Sequence, residues 1–367
     1  MRGRWLLPLL FVGAMTADAA TQTGRAVRTL TRLAGEAGPN ERLAVTELSL
    51  DVGDQSVPAR LYASVDAPAS APGIVLCHGI HRLGIDEPRL GRFSRALAAS
   101  GLVVLTPRIE ALTDYRIDAA SVPTIDVATR TLASRLGRPR VGLMGFSFAG
   151  GLALVAASNP ATSRGIGVVV AVGAHDDLGR VTRFFADGAT TTPDGRSVTM
   201  RPHEYGPLVV AYGSAERFFS AEDVPRARDV MRLRLWERGG DADRLAKGLS
   251  EAGQHRFGEL IAGDRAALAP LIAKVTEERA QDFRAASPHG KLGGIRVPVY
   301  LLHGSGDSVI PPTETAWLAS EVPATQLRDA LVSPIIQHVE IHGEPSWRER
   351  GAVVRFLARI LGELETT

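Results

Sequence analysis

The sequence predicts an α/β protein, with a mostly parallel central sheet, helices on both faces and a helical segment inserted into the chain. Three observations predict it. Short, continuously apolar runs recur at residues 74–77, 102–105, 141–144, 166–172 and 297–302, as strands buried on both faces require. Stretches of helical periodicity separate these runs. Between about residues 179 and 290 the alternation stops and sequence rich in Arg, Glu, Asp and Ala takes over, which fits an insertion better than a second sequential domain.

Composition narrows the class. The chain has 367 residues, 45% hydrophobic and 22% charged, which excludes a disordered tail, a collagen and a coiled coil. Lys and Arg number 42 against 40 Asp and Glu, a formal charge of +2. So small a charge gives no strong field for gathering a polyanion, and nucleic acid is not an expected partner. Cys77 is the single cysteine, so an intrachain disulfide and a thiolate metal cluster are both excluded. The sequence leaves the oligomeric state open.

Element by element, the N-terminus comes first. Residues 1–4 carry two arginines, an apolar stretch covers 5–15, and Ala17-Asp18-Ala19 gives a small-x-small pattern. This is the layout of a secretory signal peptide, so residues 1–19 are expected to be removed and the protein exported, periplasmic or secreted. The stretch is short for a membrane span, which needs about 20 apolar residues. An uncleaved anchor is the alternative, and no stable span is expected after processing. Residues 43–64 alternate around Gly53 and suggest an antiparallel hairpin. Helices are expected over 87–100, 124–136, 148–158, 312–320 and 348–364, and a last short strand over 330–332. Within the insertion, 226–238 and 266–283 look helical, and 207–212 fits strand or helix equally. The expected division is a core of 20–178 and 291–367 with an insertion of 179–290.

The run Val141-Gly142-Leu143-Met144-Gly145-Phe146-Ser147-Phe148-Ala149-Gly150-Gly151 carries the chemistry. An apolar strand enters, a small-residue helix leaves, and Ser147 sits at the turn. A nucleophile there is held in a tight corner with its hydroxyl above the sheet. Gly145 and Ala149 supply the small residues such a corner needs. The helix N-terminus offers N–H groups to a developing negative charge. The segment resembles the nucleophile elbow of the α/β-hydrolase family, with Ala where G-x-S-x-G has its last Gly. The resemblance covers most of 43–178 and 291–364 and not the insertion.

That resemblance implies a serine, acid, histidine order. Asp307, in His303-Gly304-Ser305-Gly306-Asp307, matches the position of the acid. Asp176 and Asp177 compete for that role but read better as helix caps. For the base, His338 takes the expected place ahead of the last helix, with His342 as its rival. A metal between the two is not expected, because no H-E-x-x-H order is present. His78-Gly79-Ile80-His81 resembles the oxyanion loop, which implies that the backbone N–H groups of Ile80 and Phe148 bind the oxyanion. His81, Phe146 and Tyr205 are expected to contact substrate. The insertion stands where the family carries a cap, although most of its aromatics read as its own core.

The expected function is therefore a cofactor-free serine hydrolase cleaving a carboxylic ester, with a small-molecule acyl substrate. An amide- or peptide-cleaving enzyme of the prolyl-oligopeptidase type and a non-catalytic binding protein of the same fold are the alternatives.

Overall fold

The computed structural model describes residues 17–33, 42–334, 336–337, 340–341 and 346–367. Its core is an eight-stranded sheet. In chain order the strands are β1 (Leu43–Val52), β2 (Gln55–Ser64), β3 (Gly73–Cys77), β4 (Val103–Pro107), β5 (Val141–Phe146), β6 (Ile166–Val172), β7 (Val299–Gly304) and β8 (Leu327–Ser333). In space the order is β1-β2-β4-β3-β5-β6-β7-β8. β1, β2 and β4 pair antiparallel, and every pairing from β4 onward is parallel. Residues of β3, β4, β5 and β6 are buried almost throughout, which explains their unbroken apolar runs. β8 alternates partly buried and exposed residues, as an edge strand does, so it extends beyond the apolar 330–332 that sequence singles out.

Helices cover both faces. One face packs α1 (Ala17–Leu33), α2 (Pro88–Ala98) and the closing helix Trp347–Glu365 through Leu30, Leu97, Phe356 and Leu361. α1 begins inside the segment expected to be a leader, while the apolar 5–15 stretch lies outside the described residues. The other face packs α3 (Val122–Arg135) and α4 (Phe148–Ser158). The α4 helix is apolar on every side and residues 148–157 are all buried, because the sheet lies on one flank and the insert on another.

The chain between β6 and β7 is the insert. It holds seven helices among the described residues, from α5 (Leu178–Asp187) through α6 (Tyr205–Gly213), α7 (Val224–Leu235), α8 (Gly239–Ala246), α9 (Glu251–Ala262) and α10 (Arg265–Glu278) to α11 (Ala280–Ala286). The ambiguous 207–212 run is the middle of α6, buried from Gly206 to Tyr212. The single helix suggested by residues 266–283 is two, α10 and α11, divided at Arg279. A small hairpin, Ala189–Thr191 with Ser197–Thr199, also lies in the insert. Its three-residue strands are too short to show a period in sequence. After β7 comes α12 (Thr313–Glu321). Among the described residues no helix is long and apolar enough to cross a membrane. Cys77 is fully buried at the end of β3, and burial pushes its thiol up to about 12.

Candidate active site

The sheet order reverses at β3. From β3 the chain steps to β4 on one side, then crosses to β5 on the other. In an open parallel sheet, the crevice at such a switch point, outside the strand carboxyl ends, is where ligands bind. Two of the motifs meet there. Ser147 follows β5, and the 78–81 loop follows β3.

Ser147 has φ +55° and ψ −131°, and it is 6% exposed. Its N–H donates to the Val172 carbonyl at 2.7 Å, and its carbonyl accepts from Gly150 N–H at 2.8 Å. The corner is tight enough that a Cβ on Gly145 would lie 2.3 Å from the Ala149 carbonyl oxygen. Phe148 is the first residue of α4, so its N–H has no partner within the helix. The 78–81 loop packs against the serine: a Cβ on Gly79 would lie 3.5 Å from Ser147 Cβ.

His78 fixes that loop. Its ring is buried; Nδ1–H donates to the Gly79 carbonyl at 2.7 Å and Nε2 accepts from Ile109 N–H at 2.9 Å. Burial lowers its pKa to about 4, so the ring is neutral at pH 7 and holds the loop as a hydrogen-bond bridge. Ile80 and His81 follow. Tyr205, at the start of α6, donates its hydroxyl to the Ile80 carbonyl at 3.4 Å, which ties the insert to this loop. His81 is partly buried, and its Nδ1 accepts from Leu83 N–H at 3.3 Å.

Asp307 lies in the turn after β7 and is 2% exposed. Its Oδ1 accepts from Val309 N–H at 2.9 Å and Ile310 N–H at 3.0 Å. Buried His303 stands beside it, with Nε2 3.6 Å from Oδ2. The His303 ring is anchored at both ends: Nε2–H donates to the Ile310 carbonyl at 2.9 Å, and Nδ1 accepts the Thr315 hydroxyl at 2.6 Å. Ser305 N–H donates to the Ser333 carbonyl at 3.0 Å, so the chain leaves β8 beside the acid turn. His338 and His342 lie outside the described residues. The competing acids have other employment. Asp177 caps α5, accepting from Gly179 and Arg180 N–H. Asp176 is buried in an ion pair with Arg180.

A narrow cavity of about 40 Å³ adjoins the elbow and the acid turn through Phe148 and Val309. Tyr205 lines it, but His81 and Phe146 do not. The Phe146 ring points to the opposite side of the sheet and meets Phe93 of α2 edge-on at 5.5 Å. The β5 strand alternates, and Phe146 falls on the face of Met144 rather than that of Leu143. Sequence reading missed Tyr115, Arg116 and Arg279, which also line the cavity. One signal was available for the first two: they follow β4, and the loops at strand carboxyl ends face the crevice. Arg279 carried none.

No protein-family model matches the chain, and no curated protein matches it. Solved structures do. The chain is similar to brefeldin A esterase, described as a bacterial homologue of human hormone sensitive lipase, at TM-score 0.52 and 15% identity. That match covers 97% of this chain and 89% of the other. It is also similar to puromycin hydrolase, at TM-score 0.50 and 17% identity over 88% of this chain. A putative dipeptidyl aminopeptidase IV from Bacteroides ovatus matches at TM-score 0.50 and 12% identity over 89% of this chain. The chain spans 39% of the length of the second protein and 36% of the third. Sheet order, elbow and these likenesses together give the chain the α/β-hydrolase fold.

Proposed function

We propose that this protein is a serine hydrolase that cleaves a carboxylic ester of a small acyl substrate. One observation carries the reading: Ser147 is held at φ +55° on the strand-to-helix corner, at the switch point, against the 78–81 loop. A serine that only capped α4 would need no such conformation. In this reading Ser147 Oγ attacks the acyl carbonyl while His338 accepts its proton and Asp307 orients the His338 ring. The N–H groups of Ile80 and Phe148 take the oxyanion, each worth about 3 kcal/mol in the transition state. His338 then returns the proton to the leaving alcohol, and water cleaves the acyl-enzyme by the same route.

The insert, residues 179–290, serves as a cap, and residues 1–19 as a cleaved export leader. N-terminal sequencing of the exported protein reads the leader directly; a chain still beginning at Met1 removes that part. Chemistry is tested with p-nitrophenyl esters and a fluorophosphonate probe. Ser147→Ala should lose probe labelling and about a thousandfold or more of kcat. His338→Ala should fall comparably, while His342→Ala should not. Undiminished kcat in His338→Ala ends that assignment, and absence of labelling at Ser147 favours a binding protein of the same fold. Amide cleavage, suggested by the dipeptidyl aminopeptidase description, is read by running aminoacyl-p-nitroanilides beside the esters.

A further inference from the structure

The cavity beside Ser147 has a charge pattern that the hydrolase reading does not use. Most of its wall is apolar, with Phe148, Leu178, Phe185, Val209 and Val309 among the lining residues. Among the described residues, the charged residues lining it are Arg116 and Arg279, and no carboxylate lines it. Arg116 is exposed and the Arg279 side chain is 33% exposed, so both guanidinium groups stand on the solvent side of the cavity, where they stay ionised at any physiological pH and can meet an anionic end of a bound molecule.

Arg279 is built into this wall. Its guanidinium lies over the Phe283 ring at 5.2 Å from the centroid, and Phe283 itself lines the cavity. Its Nη1 faces Gly213, another lining residue, where a Cβ would come within 3.3 Å. Its acidic neighbour, Asp282, is largely exposed and touches Nε at 3.5 Å, a long and solvated contact. Arg116 has a similar weak partner. Its Nε is 3.3 Å from Asp114 Oδ2, while Asp114 Oδ1 accepts the Tyr212 hydroxyl at 2.8 Å. Neither arginine is neutralised by a buried carboxylate among the described residues.

We infer that the substrate is an ester whose acyl chain ends in a carboxylate, with the apolar chain along the cavity wall and the carboxylate on Arg279 and Arg116. The inference rests on the hydrolase reading and names its substrate class: half-esters of aliphatic dicarboxylic acids. Arginine suits this task because its planar fork matches a carboxylate in two parallel hydrogen bonds. The apolar wall supplies affinity in proportion to chain length, and the charge supplies discrimination against neutral esters of equal length.

The test uses matched pairs of p-nitrophenyl esters, one neutral and one with a terminal carboxylate, at four, six and eight carbons. Wild-type enzyme should show at least tenfold higher kcat/KM for the carboxylate member of some pair. Arg279→Met should lose at least tenfold on that ester and change less than threefold on its neutral partner. Arg279→Lys should keep part of the preference, and Arg116→Met should lose less than Arg279→Met. Preference for the neutral ester at all three lengths, or a preference that survives the double Met variant, overturns the inference while leaving the hydrolase intact. If no ester is turned over and the fluorophosphonate leaves Ser147 unlabelled, the hydrolase reading itself falls. Calorimetric titration with monomethyl adipate and methyl hexanoate then decides the cavity's preference without turnover: tighter binding of the adipate supports it, and equal binding ends it.

Discussion

A side chain at φ +55° and ψ −131° persists only where its surroundings over-determine it, and Ser147 is held from both ends. Gly145 cannot yield, because Ala149 backbone fills the space above it, and the serine N–H is fixed on Val172. Strain of this kind costs about 1–3 kcal/mol. Ser147→Gly removes the Cβ and releases it, offset by about 0.5–1 kcal/mol of added chain entropy in the unfolded state. Ser147→Ala removes the hydroxyl and keeps the Cβ. The glycine variant should therefore be the more stable of the two by about 1 kcal/mol in urea unfolding; coincident midpoints would mean the corner is relaxed. The corner was legible in sequence because its requirements are local, small residues two positions either side of the serine. The cavity wall was not. Tyr115 sits at φ +56°, where glycine or asparagine is the usual occupant, and nothing in its neighbours announces it. Its hydroxyl donates to the carbonyl of Leu235, the last residue of α7, at 2.9 Å, a partner 120 positions away in the chain. Arg279 reaches the same wall from α10's end.

At the scale of elements, the insert is tied at its root, where the chain leaves β6 and returns toward β7. His175 Nε2–H donates to the Ala286 carbonyl at 3.1 Å, and His289 N–H donates to the Asp176 carbonyl at 3.1 Å. Leu178 N–H donates to Ser287 Oγ at 2.9 Å. Arg180 of α5 joins this root to α12: it pairs with Asp176 at 2.8 Å and Glu314 at 2.6 Å, and stacks over Trp317 at 4.5 Å. Glu314 also accepts from the N–H groups of Asp176 and Asp177. Both carboxylates have fully buried side chains, so Arg180→Met would leave Glu314 in the interior with backbone donors alone and Asp176 with His289 Nδ1, 3.0 Å away, as its remaining ionisable partner. Breaking a buried ion pair from one side costs about 3–5 kcal/mol. We expect a loss of that order in urea unfolding, and a loss under about 1 kcal/mol would mean water already reaches the cluster. Strands and core helices follow from periodicity, which is why they could be read in advance. This knot could not be. Asp176 looks like an isolated turn residue and Glu314 like a helix-surface acid, and only the fold buries both against Arg180, with His289 beside Asp176.

The burial that builds these local devices also sets how the whole molecule responds to acid. His78 and His175 are each lowered to about 4, chiefly by burial, and both stay neutral in the folded protein. In the unfolded chain they titrate near 6.5, so falling pH charges the unfolded state first. Their contribution to stability is complete above about pH 6.5 and is lost progressively down to about 4. Asp176 works in the opposite direction. Burial raises it to about 6, with Glu314 adding to the shift and Arg180 opposing it, so the folded state takes up its proton first. That gain accrues as pH falls from about 6 toward the ordinary carboxylate value near 4. Between those limits these three groups hold about two protons in the unfolded chain against one in the folded protein, and His81, also lowered by burial, adds to the difference in the same direction. The difference of one proton is worth about 1.4 kcal/mol per pH unit. Stability should therefore fall by about 2–3 kcal/mol from pH 7 to pH 5, read from urea unfolding at each pH. Asp176→Asn removes the counterweight and should about double the slope between pH 6 and pH 4, whatever it does to stability at pH 7. A flat profile, or a variant slope no steeper than wild type, would mean that the two rings are protonated within the fold. His78 also carries the loop that presents Ile80, and His175 ties the insert's root. The acid limit of the molecule thus falls on the two places that hold the elbow's surroundings in position, so activity should be lost with stability rather than ahead of it.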